Sequence, residues 1–147
     1  MLTNHFSNIV LQEAPLDALV NACYYNMLDV VQEFVQLIEP EEVNHADIVG
    51  WTPLYAAMMS SSFEVVCYLL ALDDIDVNVP AATGRYTALH IAAYNGRMKY
   101  IELLTSVDGV DLNARSHDGN TPLHMAAKSG SPETVAYVLL QSICLLV

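Results

Sequence analysis

The sequence predicts an all-α fold, a solenoid of about four helix–turn–helix repeats joined by short β-hairpin loops. Three recurrences predict it. Thr52-Pro53-Leu54-Tyr55-Ala56-Ala57, Thr87-Ala88-Leu89-His90-Ile91-Ala92-Ala93 and Thr121-Pro122-Leu123-His124-Met125-Ala126-Ala127 are near-copies, with their threonines 35 and then 34 residues apart. Val43-Asn44, Val77-Asn78 and Leu112-Asn113 pair an apolar residue with Asn at intervals of 34 and 35. Gly50, Gly84 and Gly119 precede the threonines by two, three and two residues. A period of this size marks units too small to bury an apolar face alone, which stack to share one core.

The elements follow in chain order. Residues 1–14 carry Leu2, Phe6, Ile9 and Val10, an amphipathic capping segment set off by Pro15. Residues 15–45 are a degenerate first repeat. With Ala22-Cys23 in register with the later Ala pairs, Asp17 takes the place of the threonines, Leu19 that of the Leu, and Asn26 that of the Gly. End repeats of a finite stack are atypical because an end has one neighbour. Repeats two, three and four span 46–79, 80–114 and 115–147, the last read as a truncated C-terminal repeat. Helix pairs are expected at 17–27 and 27–38, 52–60 and 62–71, 87–95 and 97–106, and 121–129 and 131–142.

The local chemistry supports each boundary. The Thr hydroxyl can accept an orphan N–H at a helix start, and Pro at the first helical position gives up an N–H that has no partner there. The Ala pair keeps the inner helix slim, and the motif leucines Leu54, Leu89 and Leu123 should face the core. Asn26, Ser61, Gly96 and Gly130 fall where an inner helix ends in the left-handed conformation, Ser61 being the poorest fit. Ser131-Pro132-Glu133 opens an outer helix with a cap, a Pro and an acid. Val65, Val66, Leu69 and Leu70 show helical spacing, as do Ile101, Leu104 and Thr105. Asp-Ile-Asp-Val-Asn and Gly-Val-Asp-Leu-Asn alternate like short extended arms.

These motifs, in this order, resemble the ankyrin-repeat family over roughly residues 15–147. The resemblance implies a fold in which hairpin tips and inner helices line a concave groove used for protein–protein contacts. It implies that His90 and His124 tie helix starts to loops, with Tyr55 replacing them in the second repeat. It also implies hydroxylation of hairpin Asn residues where a host has the enzyme. Asn78, with Leu70 eight residues earlier, fits best as that modification site; the competing reading is that Asn78 bonds the turn backbone.

Composition narrows the class. Hydrophobic residues make up 54% and charged residues only 15%, as a shared apolar core requires. No run reaches the roughly 18 apolar residues of a membrane span; the longest candidate, 136–147, has 12 and includes Gln141 and Ser142. The N-terminus lacks the basic start of a secretory signal. Cys23, Cys67 and Cys144 are an odd, widely spaced set and read as reduced thiols. The expected setting is therefore intracellular, in the cytoplasm, with the nucleus also open to it.

Charge is distributed unevenly. Net charge is −12. Residues 1–84 hold twelve acids and no Lys or Arg, whereas residues 85–147 hold five acids and five bases. An acidic half does not neutralise phosphates, which argues against nucleic acid and anionic membranes as partners. Either the acids keep an apolar stack soluble or they steer a basic partner to the first half.

Motifs for chemistry are lacking. His5, His45 and His117 share no spacing with Cys or carboxylates that would suit zinc, so no metal site is expected. Asp73-Asp74-Ile75-Asp76 fails the calcium-loop pattern for want of Gly at position six and Glu at twelve. No phosphate loop or nucleophile motif occurs. The chain is expected to be no enzyme, to have no catalytic residues and to need no cofactor.

What remains is surface. The residue before each motif Thr gives Leu16, Trp51, Tyr86 and Asn120; the residue seven after it gives Tyr24, Met59, Tyr94 and Lys128. Tyr, Trp and Met are enriched in interface cores. Tyr24, Trp51, Met59, Tyr86 and Tyr94 are thus expected side by side as partner-binding residues, with Ile48, Val49 and Arg85 at hairpin tips. The competing reading packs these rings between repeats. The function expected is a scaffold or adaptor that binds a partner protein bearing a basic segment on the concave hairpin and inner-helix face. The alternative is the regulatory or substrate-recruiting domain of a larger enzyme or effector. The apolar end, Ile143-Cys144-Leu145-Leu146-Val147, reads as the edge of a fragment, a folded-back tail, or a surface packed on another chain; the first is favoured.

Overall fold

The computed structural model describes residues 15–144. The capping segment expected over 1–14, and residues 145–147 of the apolar tail, lie outside the described residues. Two compact units divide the chain, Met1–Ile75 and Asp76–Val147. Among the described residues there are α-helices and one 3-10 helix but no strand.

In the first unit, α1 (Pro15–Tyr24) and α2 (Leu28–Val35) form a pair, followed by a 3-10 helix (Pro40–Asn44) and a second pair, α3 (Pro53–Ser60) and α4 (Phe63–Leu70). Helix α1 packs on α2 and α3, α3 packs on α4, and α2 touches α4. The second unit repeats the plan with α5 (Ala88–Tyr94), α6 (Met98–Thr105), α7 (Pro122–Ser129) and α8 (Pro132–Cys144). There α5 packs on α6 and α7, α7 on α8, and α6 touches α8.

The helix starts are built from the repeated threonines. Thr52, Thr87 and Thr121 are the residues preceding α3, α5 and α7, and their hydroxyls accept from the N–H of Tyr55, His90 and His124. The inner helices end by reversal. Asn26, Ser61, Gly96 and Gly130 have φ of 55°, 67°, 63° and 73°, the left-handed region. The N–H of Met27, Ser62 and Arg97 then donates back to the carbonyl of Ala22, Ala57 and Ala92, at 2.9, 3.0 and 3.1 Å. This 6→1 bond caps carbonyls that would otherwise lack a partner. It also explains why α1 stops at Tyr24, short of the expected 27.

The Ala pairs allow close approach. Ala56, Ala57, Ala92 and Ala93 have no exposed surface, nor do Leu19, Met58, Val65, Val66, Leu69, Ile101 and Leu104. Leu54 and Leu89 are buried as expected, but Leu123 is only half-buried. Helix α7 is covered by α5 and α8, and no helix beyond α8 covers it among the described residues.

The expected extended arms are turns. Asp76 Oδ1 accepts from the N–H of Asn78, and Asp111 Oδ1 from that of Asn113, each at 2.9 Å. Such local carboxylate bonds offer the backbone an alternative to a strand ladder. Each hairpin tip is bridged by a backbone bond: Asp47 N–H to Trp51 O, Ala81 N–H to Tyr86 O, and Ser116 N–H to Asn120 O; in the first and last, Gly50 N–H to Asp47 O and Gly119 N–H to Ser116 O add a second.

Candidate protein-docking site

The tip of residues 47–51 is positioned from inside and from outside. Asp47 Oδ1 accepts from the N–H of Val49 at 3.0 Å and of Trp51 at 2.9 Å, which fixes the loop around the carboxylate. From α1, Asp17 Oδ1 accepts from the N–H of Ile48 at 3.2 Å. The register-equivalent N–H in the second unit, that of His117, donates instead to the carbonyl of Gly84 at 2.9 Å. The first repeat has no described tip before α1, so a carboxylate supplies the acceptor. Asp17 is therefore a tip support and not the helix cap that register with the threonines implies: Pro15 and Leu16 before it are already helical.

Between this tip and the end of α1 lies an open cleft of about 240 Å³, whose lining includes Val20, Tyr24, Tyr25, Asp47, Val49 and Trp51. The rings form a connected row. Tyr24 and Trp51 lie 5.9 Å apart with planes tilted by 40°. Tyr25 meets Tyr24 edge-on at 5.2 Å, and Tyr55 meets Trp51 edge-on at 5.6 Å. Tyr55 is buried, whereas Trp51 is half-buried, Tyr24 is 38% exposed and Tyr25 70%.

Of the residues expected at a partner-binding face, the structure thus brings Tyr24, Val49 and Trp51 together around one cleft. Ile48 stands at the same tip, 90% exposed, and Met59 near the end of α3 is also exposed, but neither lines the cleft. Tyr25 and Asp47 complete it. The signal that points to Tyr25 is the Tyr-Tyr dipeptide at the end of the first inner helix.

In the second unit, Tyr94 is exposed at the end of α5, and Tyr86 is half-buried with its ring 5.8 Å from that of His90. Arg85 is exposed and left-handed, with φ of 55°. It occupies the place two before the motif Thr where the other tips have Gly50 and Gly119. This tip is one residue longer, and two consecutive left-handed residues, Gly84 and Arg85, turn it. Gly84 suits this turn: its φ is 72°, and a Cβ there would lie 2.5 Å from Cε2 of Tyr86, so the ring would have to shift.

The buried His90 sets this tip against the next. Its Nδ1 lies 3.1 Å from the N of Thr87 and 2.8 Å from Oγ1. A backbone N–H only donates, so Nδ1 is the acceptor and Nε2 carries the proton, donating to the Asn120 carbonyl at 2.8 Å. Burial lowers the pKa of His90 from its ordinary value, against smaller raising effects from the Asn120 and Ala114 carbonyls and Asp111. His124 makes the same pair with Thr121 but is exposed.

Asn78 ties neighbouring turns. Its Nδ2 donates to the Gly109 carbonyl at 2.9 Å, and its Oδ1 accepts from the N–H of Asp111 at 2.7 Å. Asn44 likewise donates to the Asp74 carbonyl at 2.7 Å. Both ends of the Asn78 amide are committed to turn backbone, so this residue has a structural task independent of any modification.

Among the described residues no group of three or more His, Cys, Asp or Glu could hold a metal ion, and no helix is long and apolar enough to cross a membrane. Cys23, Cys67 and Cys144 are unpaired, and burial pushes the Cys23 thiol well above its ordinary pKa.

Paired helices, alanine-lined helix faces and bridged hairpin tips define a class of helical repeat protein. The chain belongs to the ankyrin-repeat family: the family model described as ankyrin repeats (3 copies) matches residues 2–81 and 80–145. Such domains are generally protein–protein interaction modules and are typically non-catalytic. The chain is 38% identical over 104 residues to the NAD-dependent deacetylase sir2B of Dictyostelium discoideum, covering 70% of the chain and 13% of the relative. It is 38% identical over 107 residues to the ankyrin repeat and KH domain-containing protein mask of Drosophila melanogaster, covering 72% and 3%. It is 36% identical over 86 residues to the probable E3 ubiquitin-protein ligase XBOS31 of Oryza sativa subsp. japonica, covering 58% and 19%. The chain therefore spans less than a fifth of the length of each of these relatives.

Proposed function

We propose that the chain is a protein-binding module without chemistry of its own, and that a partner protein docks on the hairpin-tip and inner-helix side of the first unit. Trp51 and Tyr24 are the anchors, with Ile48, Val49 and Met59 at the margin. Arg85, Tyr86 and Tyr94 are the register-equivalent candidates in the second unit. The observation that carries this reading is the cleft itself: an open row of rings beside a tip held in place by Asp47, with Val49 exposed in its lining. Core packing alone does not require Val49 to stand 62% exposed beside two part-exposed tyrosines. Aromatic side chains that become desolvated on docking are typically worth about 2–4 kcal/mol each. The acidic first half favours a partner bearing Lys or Arg, and it disfavours nucleic acid and anionic membranes.

The test is site-specific photo-crosslinking in the cell of origin. A crosslinking side chain replaces Val49 at the cleft or Glu64 on α4, and adducts are compared. Partner adducts concentrated at Val49, and lost when Trp51→Ala is added, support the reading. Equal adducts at both sites, or adducts that survive Trp51→Ala, sink it.

A second reading has its own observation. Two of the relatives named above are described as a deacetylase and a ubiquitin ligase, and the matched region is a small part of each. The same surface would then recruit a substrate or regulator for a catalytic part elsewhere in a longer polypeptide. The full reading frame of the gene decides between the two: a catalytic domain in frame favours this second reading, and a frame of repeats alone removes it.

A further inference from the structure

We propose that the cleft between Tyr24 and Trp51 reads one arginine side chain of the partner, its guanidinium stacked on the open ring faces and its charge met by the tip carboxylate. This rests on the docking reading above and specifies what the cleft recognises.

The ring geometry is the first argument. Tyr25 meets Tyr24 edge-on and Tyr55 meets Trp51 edge-on, while Tyr24 and Trp51 are splayed by 40°. Tyr24 and Tyr25 line the cleft at 38% and 70% exposed, beside the half-buried Trp51, so an occupant of the cleft meets aromatic surface. An aromatic face carries negative quadrupole density and attracts a cation placed over it.

Charge is the second. Residues 1–75 contain eleven Asp and Glu and no Lys or Arg. Asp47 lines the cleft, and both of its bonds to the tip backbone fall on Oδ1. The carboxylate is thereby held rigid while Oδ2 takes neither bond. Asp17 stands behind the same tip, bonded to the N–H of Ile48. An apolar occupant would cover Asp47 and strip its water without replacing it, which is costly for a carboxylate. A cationic occupant removes that penalty.

The choice of arginine over lysine follows from the openness of the cleft. An ammonium is a strongly hydrated point charge and gains most inside an enclosed box. A guanidinium is planar and weakly hydrated, so it stacks on a single open face and still presents N–H groups to a carboxylate at its edge. Tyr25 at 70% exposed leaves the cleft without a closed wall.

Trp51 is the single tryptophan of the chain, so its fluorescence reports on this cleft alone. The probes are end-blocked pentapeptides with Arg at the centre of four Gly, and the same peptide with citrulline, Lys or Leu instead. Citrulline keeps the planar shape and loses the charge. The arginine peptide is expected to give a saturable change in the millimolar range, with the citrulline peptide weaker by about fivefold or more. Tyr24→Leu keeps apolar bulk without the ring and should weaken arginine binding by a similar factor. Tyr25→Leu serves if circular dichroism shows that Tyr24→Leu has lost helix. Equal binding of citrulline or Leu overturns the cation reading but leaves apolar docking standing. Tighter binding of Lys overturns the stacking argument. No saturable response to the arginine peptide overturns the inference altogether, while crosslinking at Val49 reports separately on whether the surface docks a partner at all.

Discussion

Replacing His90 by Ala isolates the linkage between hairpin tips in the second unit. His90 has no exposed surface, and its ring satisfies the Thr87 N–H through Nδ1 and the Asn120 carbonyl through Nε2. His90→Ala leaves both groups without that partner, at about 1–3 kcal/mol each. The void left by the ring adds to this, and relaxation offsets part of it, so about 3–5 kcal/mol is expected. His124→Ala is the internal control. The same helix-start pair is lost, but at an exposed site, and about 0.5–1 kcal/mol is expected. Urea denaturation followed by far-UV circular dichroism at pH 7.5 gives both numbers. Equal costs for the two variants, or a cost below about 1 kcal/mol for His90→Ala, would mean that His90 does not hold the two tips together, since loss of a satisfied buried network is among the mechanisms of large destabilisation. The same residue sets a pH dependence. Its folded pKa is lowered from the ordinary 6.5, so the unfolded chain takes up the proton first as pH falls. The His90 contribution is therefore complete above about pH 6.5 and is lost as pH drops towards the folded pKa. His90→Gln should flatten that part of the stability profile.

Other expectations follow from packing and backbone. Leu89→Ala should cost about 2–5 kcal/mol, and Leu123→Ala clearly less because Leu123 is only half-buried; equal shifts in denaturation midpoint would contradict this. Gly84→Ala should cost about 1–3 kcal/mol, since it forces a Cβ into the Tyr86 ring at a φ of 72°. Arg85→Gly should stabilise by about 0.5–1 kcal/mol by relieving the left-handed conformation. A destabilised Arg85→Gly would mean that the arginine side chain holds the tip by contacts outweighing this strain.

The architecture is legible in the sequence because repetition amplifies weak signals. One Thr-Pro-Leu is a modest helix start; three motif copies at intervals of 35 and 34 residues, each with an Ala pair, set the positions of α3, α5 and α7. Asn26 and Ser61 are recognisable as left-handed by register with Gly96 and Gly130, although neither is Gly. Features that depend on partners distant in sequence are harder to read. Asp17 looks like a degenerate cap because register alone does not say that its carboxylate reaches the N–H of Ile48, 31 residues on. Asp76 and Asp111 suggest extended arms because alternation reads as a strand, while a carboxylate bonding two residues ahead makes a turn. Leu123 shares its motif with Leu54 and Leu89, and only the helices covering each position separate them. The cleft is half legible: register picks out Tyr24 and Trp51, but the place of Asp47 in its lining, bonded to the N–H of Val49 and Trp51, depends on the loop geometry.

Panning a random peptide library on the immobilised chain, with each enriched peptide then assayed against Trp51→Ala and Tyr24→Ala, tests docking at the first-unit cleft whatever the natural partner is. Most enriched peptides are expected to carry Lys or Arg, to compete with one another, and to lose binding to both variants while circular dichroism shows the helices intact. Peptides that bind both variants as tightly as the parent chain would contradict docking at this cleft.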